Sequence, residues 1–171
     1  SLSGADVDFL DIENREYRLK ESLKVVEDYY DYILLDCPPA LGFLTLNALT
    51  TANYVIVPLQ CEFFALECIQ QLINTIAEVK KKWNNDLDIL GVLLTMYDKR
   101  YGLTKAVEDD VRGTFGDKVF KTVIPRNVRV SEAPSHGKPA LFYDFNSLGA
   151  QAYLKVATEI IEKLNNGEGN V

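Results

Sequence analysis

The chain has 171 residues, 47% of them hydrophobic and 25% charged, with a formal net charge of −7. That length fits one domain and that composition is globular, which favours neither a fibrous repeat nor a disordered chain. The acidic balance argues against a generic nucleic-acid binder, and no apolar run approaches the roughly 18 residues of a membrane-spanning helix.

The opening, Ser1-Leu2-Ser3-Gly4-Ala5-Asp6, has neither a basic nor an apolar leader region, so the cytoplasm is the expected compartment. A short helix is expected after Ser3, then a longer one from Asn14, which can cap it, to about Glu27. Tyr32–Leu35, Tyr54–Val57, Ile89–Leu94 and Val119–Ile124 are nearly continuous apolar or β-branched runs, as strands buried on both faces of a parallel sheet should be. Helical patterns fill the gaps at Phe43–Ala52, Phe64–Trp83 and Leu103–Phe115, giving βαβ alternation. A last amphipathic helix is expected from about Gly149 to Leu164, with 165–171 as a frayed tail. Residues 1–171 therefore read as a single α/β domain. Lys80-Lys81-Lys82 falls at a helix C-terminus, where cations meet the macrodipole favourably, and is read as structural.

Cys37, Cys61 and Cys68 are odd in number and lack C-x-x-C spacing, so reduced thiols are expected rather than a disulfide or a zinc site. The charge is unevenly spread. Lys99–Lys138 holds nine Lys or Arg against five Asp or Glu, and the rest of the chain holds nine against twenty.

The sharpest local feature is Tyr32-Ile33-Leu34-Leu35-Asp36-Cys37-Pro38-Pro39. An apolar strand ends in one carboxylate, and in open parallel sheets ligands lie beyond the carboxyl ends of strands. Asp36 thus occupies a Walker B position, where one rigid carboxylate can orient a Mg²⁺ ion whose other ligands are waters and phosphates. The prolines stiffen the turn after it. Taken alone, an Asp after an apolar strand also serves as a turn residue or a helix cap.

The segment Tyr30–Gly42 resembles the Walker B and switch II region of the ParA/Soj partition ATPases. Val57–Glu67 resembles that family's next strand and turn, and Gly91–Asp98 the strand whose end reaches the nucleotide base. Ile124–Pro139, containing Pro125-Arg126-Asn127-Val128-Arg129 and Ser131-Glu132-Ala133-Pro134, is similar to its most diagnostic stretch. The matches are collinear over all but the last few residues. They imply an α/β, parallel-sheet, P-loop NTPase-like three-layer fold and a cytoplasmic, nucleoid-associated ATPase. Such a protein forms a homodimer around ATP and Mg²⁺, binds DNA non-specifically and is stimulated by a ParB-like centromere-binding partner.

By resemblance, Asp36 is the catalytic and metal-orienting carboxylate, and Cys37, Pro38, Pro39 and Gly42 form the switch. Met96, Tyr97, Asp98, Pro125, Arg126 and Asn127 frame the nucleotide base, with strand-end packing as the plain alternative. Glu62 and Glu67 face the partner subunit, although a solvated helix start explains them as well. Arg112, Lys118, Lys121, Arg126, Arg129 and Lys138 are the candidate DNA contacts, offering phosphate contact without base readout. His136, the sole histidine, is read as a surface loop residue rather than a catalyst.

One departure governs the rest. No G-x-x-x-x-G-K-[ST] occurs, and Gly137-Lys138, the only Gly-Lys pair, is followed by Pro139. Without that loop no backbone cradle or lysine meets the phosphates, so this chain alone is expected to bind ATP weakly and not to hydrolyse it. The fold is accordingly expected to lack the Walker A strand. Leu148 and Phe145 also depart from the arginine and proline frequent in the family. A nucleotide-free interaction fragment is the non-enzyme alternative. A MinD-like membrane ATPase is disfavoured by the mixed charges of the last helix, and a Rossmann oxidoreductase by the absence of G-x-G-x-x-G. A metabolic synthase on the same fold is disfavoured by the Arg126–Pro139 match.

Overall fold

The computed structural model describes residues 14–38, 42–62 and 64–168. The short helix expected after Ser3, together with Pro39, lies outside the described residues. Two compact units emerge, one from the described part of Ser1–Val55 with Leu72–Asp88, the other from Ile56–Gln71 with the described part of Ile89–Val171.

In the first unit, the helix expected over 14–27 breaks into a 3-10 turn at Arg15–Tyr17, a helix α1 at Arg18–Leu23 and a second 3-10 turn at Glu27–Tyr29. Asn14 takes a left-handed conformation at φ 56° and makes no capping bond. A helix of six residues with no buried side chain is marginal on its own propensity. It is held from outside by α2, Phe43–Thr51. The Leu19 N–H donates to Asn47 Oδ1 at 3.1 Å, and Thr50 Oγ1 donates to the Glu16 carbonyl at 2.6 Å. These bonds satisfy the buried Asn47 and Thr50. Asn84 Nδ2 donates to the Leu49 and Ala52 carbonyls, at 2.9 and 2.7 Å, and so occupies orphan acceptors at the end of α2.

Tyr32–Leu35 corrects the sequence reading. The segment belongs to no strand, and Tyr32, Ile33 and Leu34 are 53, 39 and 86% exposed. A strand exists through its ladder, and among the described residues no strand runs beside this one.

Strand β1 spans Tyr54–Gln60, helix α3 Ala65–Lys82 and strand β2 Asp88–Thr95. The two strands pair. Because the Asp88 N–H donates to the Asn53 carbonyl at 3.0 Å, they start together, and the α3 crossover between them makes the pair parallel. Ile69, Ile76 and Val79 form the buried stripe of α3, and the three lysines occupy its last turn.

In the second unit, Val119–Pro125 runs beside β2 through isolated parallel bridges from Val119 to Val92 and from Pro125 to Tyr97. The continuous strand expected there is interrupted for a visible reason: the Lys121 and Thr122 N–H groups donate to the Glu159 carboxylate, at 2.7 and 3.1 Å, instead of joining the ladder. Glu159 belongs to the last helix of the series α4 (Gly102–Phe115), α5 (Val128–Glu132), α6 (Ala140–Tyr143) and α7 (Leu148–Glu168). Thus α7 continues beyond Leu164, into the stretch read as tail. Leu93, Phe120, Ile124, Ala152 and Val156 make one core cluster of this unit. Gly91 admits Phe120, since a Cβ there would stand 2.7 Å from the Lys118 carbonyl oxygen and 2.8 Å from the Phe120 ring.

Candidate nucleotide cleft and basic surface

Parallel β1 and β2 deliver their carboxyl ends to one place, and the loops that leave them line a cleft of about 420 Å³. Gln60, Cys61 and Glu62 come from the end of β1, Met96 and Asp98 from the end of β2, Tyr101, Leu103 and Thr104 from the start of α4, and Arg126 from the loop before α5. Of the residues framing the base in the sequence reading, Met96, Asp98 and Arg126 line the cleft. Met96 sits at φ 53°, a left-handed conformation that costs a non-glycine residue energy and concentrates at functional sites.

Tyr97 does not line the cleft; it secures the cleft wall from behind. Its N–H donates to the Ile124 carbonyl at 3.0 Å and its carbonyl accepts from the Arg126 N–H at 3.0 Å. Its hydroxyl donates to Glu108 Oε2 on α4 at 2.6 Å. Glu108 Oε1 accepts from Arg112 Nε at 2.8 Å, and Arg112 Nη1 donates onward to the Phe120 carbonyl at 3.2 Å. Lys105 Nζ stands 3.5 Å from Glu108 Oε2. Burial pushes the Glu108 carboxyl up, but the bonds from Tyr97 and Arg112 outweigh it and leave the group below its usual range. On the cleft side, Arg100 meets Asp98 at 2.6 Å and holds that carboxyl down at about 2. Burial drives the Cys61 thiol up to about 11, with the Glu108 charge adding to the shift.

The remaining candidates are dispersed. Asp36, Cys37 and Pro38 lie in an exposed stretch of the first unit that has no regular secondary structure, and Gly42 is the residue before α2. Glu67 is in the first turn of α3, exposed and outside the cleft, whereas Glu62 lines it. Pro125 bridges to Tyr97, and Asn127 caps α5 by accepting from the Val130 N–H at 3.3 Å. His136 stacks on Tyr143 at 4.8 Å between ring centres. Among the DNA candidates, Arg112 is half-buried and engaged with Glu108 and the Phe120 carbonyl. Arg129 is paired with Glu132 at 3.0 Å and Asp144 at 3.4 Å. Lys118, Lys121, Arg126 and Lys138 are exposed. The sequence reading missed Glu108. Its spacing of four from Arg112 marks a helical ion pair, but nothing in the sequence joins that pair to Tyr97.

A family described as an AAA domain matches residues 1–89. The chain is 54% identical over 159 residues to the sporulation initiation inhibitor protein Soj of Bacillus subtilis, covering 93% of this chain and 63% of that protein. It is also 54% identical over 164 residues to the chromosome partitioning protein ParA of Caulobacter vibrioides, covering 95% and 61%. The chain belongs to the ParA/Soj family of partition ATPases. Its fold matches that of a Mycobacterium smegmatis protein described as cobyrinic acid a,c-diamide synthase, with a TM-score of 0.80, 37% identity, and 97% of this chain and 61% of that one covered. The same protein has been solved with ADP and magnesium. The cell division ATPase MinD of Pyrococcus furiosus matches with a TM-score of 0.68 and 29% identity, over 87% and 59% of the two chains. The P-loop NTPase-like α/β class is therefore established. This ParA/Soj chain spans about three-fifths of the length of the curated relatives it matches. Among the described residues no group of three or more His, Cys, Asp or Glu is placed to hold a metal. The single exposed Asp36 suits Mg²⁺, which takes one or two carboxylates and completes its shell with water and phosphate.

Proposed function

We propose that this ParA/Soj chain furnishes the base-holding cleft and the DNA-facing surface of an ATP-driven partition ATPase. The protein dimerises around ATP, grips DNA without sequence preference in that state, works at the nucleoid and answers to a ParB-like centromere-binding partner. The observation that carries the reading is the strand-end cleft, lined by Met96, Asp98 and Arg126, in a chain 54% identical to Soj. Its size is that of a small-molecule site, and its Met96, Tyr101 and Leu103 side chains offer a purine apolar contact beside polar groups. ATP with Mg²⁺ supplies the reactive phosphate and neutralises its charge. Asp36 would orient the shell of that metal, and Pro38, Pro39 and Gly42 would form the switch that senses the γ-phosphate.

Phosphate release assays on the full chain as its gene encodes it, with duplex DNA present, test the reading. Asp36→Ala is expected to lower turnover at least about tenfold with the melting temperature unchanged, because a metal-orienting carboxylate acts in the nucleotide-bound state. The 171-residue chain, without a phosphate-binding loop, is expected to give no turnover. Unchanged turnover of Asp36→Ala at saturating Mg²⁺ would refute the Walker B assignment.

A further inference from the structure

The wall of the cleft depends on a residue outside it. Met96 and Asp98 face the cleft, and Tyr97 between them is fixed from three directions: its backbone to Ile124 and Arg126, and its hydroxyl to Glu108 at 2.6 Å. Glu108 is itself held, by Arg112 at 2.8 Å and Lys105 at 3.5 Å, and its side chain is 13% exposed. It lies one helical turn beyond Thr104, which lines the cleft, so α4 meets the ligand space at Thr104 and the strand end at Glu108. A strand end that carries the left-handed Met96 needs such external restraint, because a strained conformation persists only where its surroundings over-determine it.

We infer that Glu108 is a positioning residue for nucleotide base selection: through the Tyr97 hydroxyl it fixes the Met96–Asp98 edge and, through the Tyr97 backbone, the neighbouring Arg126. The inference rests on the reading of the cleft as the base site. Glu108 touches no ligand. Its effect is on how sharply the cleft separates adenine from guanine, since selection by hydrogen bonding requires donors and acceptors that hold still.

The test measures ATP and GTP affinities of the full chain as its gene encodes it, for the parent, Tyr97→Phe, Glu108→Gln and the double variant. Asp110→Asn, at an exposed residue of α4, serves as the neutral control. The parent is expected to prefer ATP, and each single variant to reduce that preference about three- to tenfold, the range of one ordinary hydrogen bond, because Glu108 acts on selection through Tyr97 and not directly. The double variant is expected to lose no more than the worse single, because both changes break the same link. Melting temperatures separate this from a loss of folding. An unchanged ATP-to-GTP ratio in the single variants overturns the inference, as does an equal weakening of both nucleotides, which is what a merely structural Glu108 would produce. A parent that binds neither nucleotide sinks the reading of the cleft itself, and the inference with it.

Discussion

Cys61 stands at the end of β1 with 8% of its surface exposed, where burial and the nearby Glu108 charge raise its thiol to about 11. Alkylation requires the thiolate, so at pH 8 Cys61 is doubly protected, by access and by protonation. Cys37 and Cys68 are exposed. Iodoacetamide at pH 8 is expected to label Cys37 and Cys68 in the folded chain and to reach Cys61 only above about pH 10 or after denaturation, read by peptide mass spectrometry. Rapid labelling of Cys61 at pH 8 would show the cleft floor to be open. The odd cysteine count made free thiols legible in the sequence, but not this division among them, which follows from packing. Met96 and Arg126 were legible as site candidates through resemblance, whereas the left-handed backbone at Met96 is imposed by the strand end and has no signature in a methionine.

Apolar runs announced β1 and β2 because both are buried by their neighbours, and the same pattern at Tyr32–Leu35 announced a strand that does not pair. Such a run reports that a segment would be stable when covered; it carries no information about whether the cover is present. Val119–Ile124 fails differently, since Glu159, 37 residues from Thr122 along the chain, takes two of its amides. Helices α5 and α6, of five and four residues, are too short for a 3.6-residue period to be visible. Gly91 illustrates the converse, a residue that reads as a weak point in a strand and is required by its neighbour. Gly91→Ala would push a methyl into the Lys118 carbonyl and the Phe120 ring, and is expected to cost about 1–3 kcal/mol. Urea denaturation with an unchanged midpoint would mean that Phe120 has room to move.

For the molecule as a whole, the acidic balance and the basic Lys99–Lys138 segment pulled the sequence reading in opposite directions. The fold narrows the basic segment. Arg100, Lys105, Arg112 and Arg129 are each neutralised by a carboxylate, while Lys121, Arg126 and Lys138 make no ion pair among the described residues. Arg126→Ala in the ATP-loaded protein is expected to weaken binding to all duplex sequences alike and to flatten the slope of log affinity against log salt by about 0.9. Arg129→Ala should flatten it by less, because Glu132 and Asp144 already share its charge. Lys80→Ala should leave it unchanged, as Lys80 sits 3.8 Å from Asp88 at a helix end. Equal slopes for all three variants in an anisotropy titration would reduce the basic segment to surface decoration.

The uncovered stretch Tyr32–Leu35 also bears on how the protein behaves in concentrated solution. Four consecutive apolar residues without a ladder, Tyr32, Ile33 and Leu34 exposed and Leu35 partly buried, form a sticky segment, and what brackets it is Asp31 on one side and Asp36 on the other. The two charges act as gatekeepers against lateral association of chains, a colloidal duty for Asp36 separate from any metal. Salt screens such protection over about 8 Å at physiological strength and about 3 Å at 1 M. Light scattering of the 171-residue chain is therefore expected to rise as sodium chloride is raised from 0.05 to about 1 M. Asp36→Asn should begin to scatter at lower salt than the parent, and Leu34→Lys should stay clear throughout. A Leu34→Lys variant that clouds like the parent would place the adhesive surface elsewhere on the molecule.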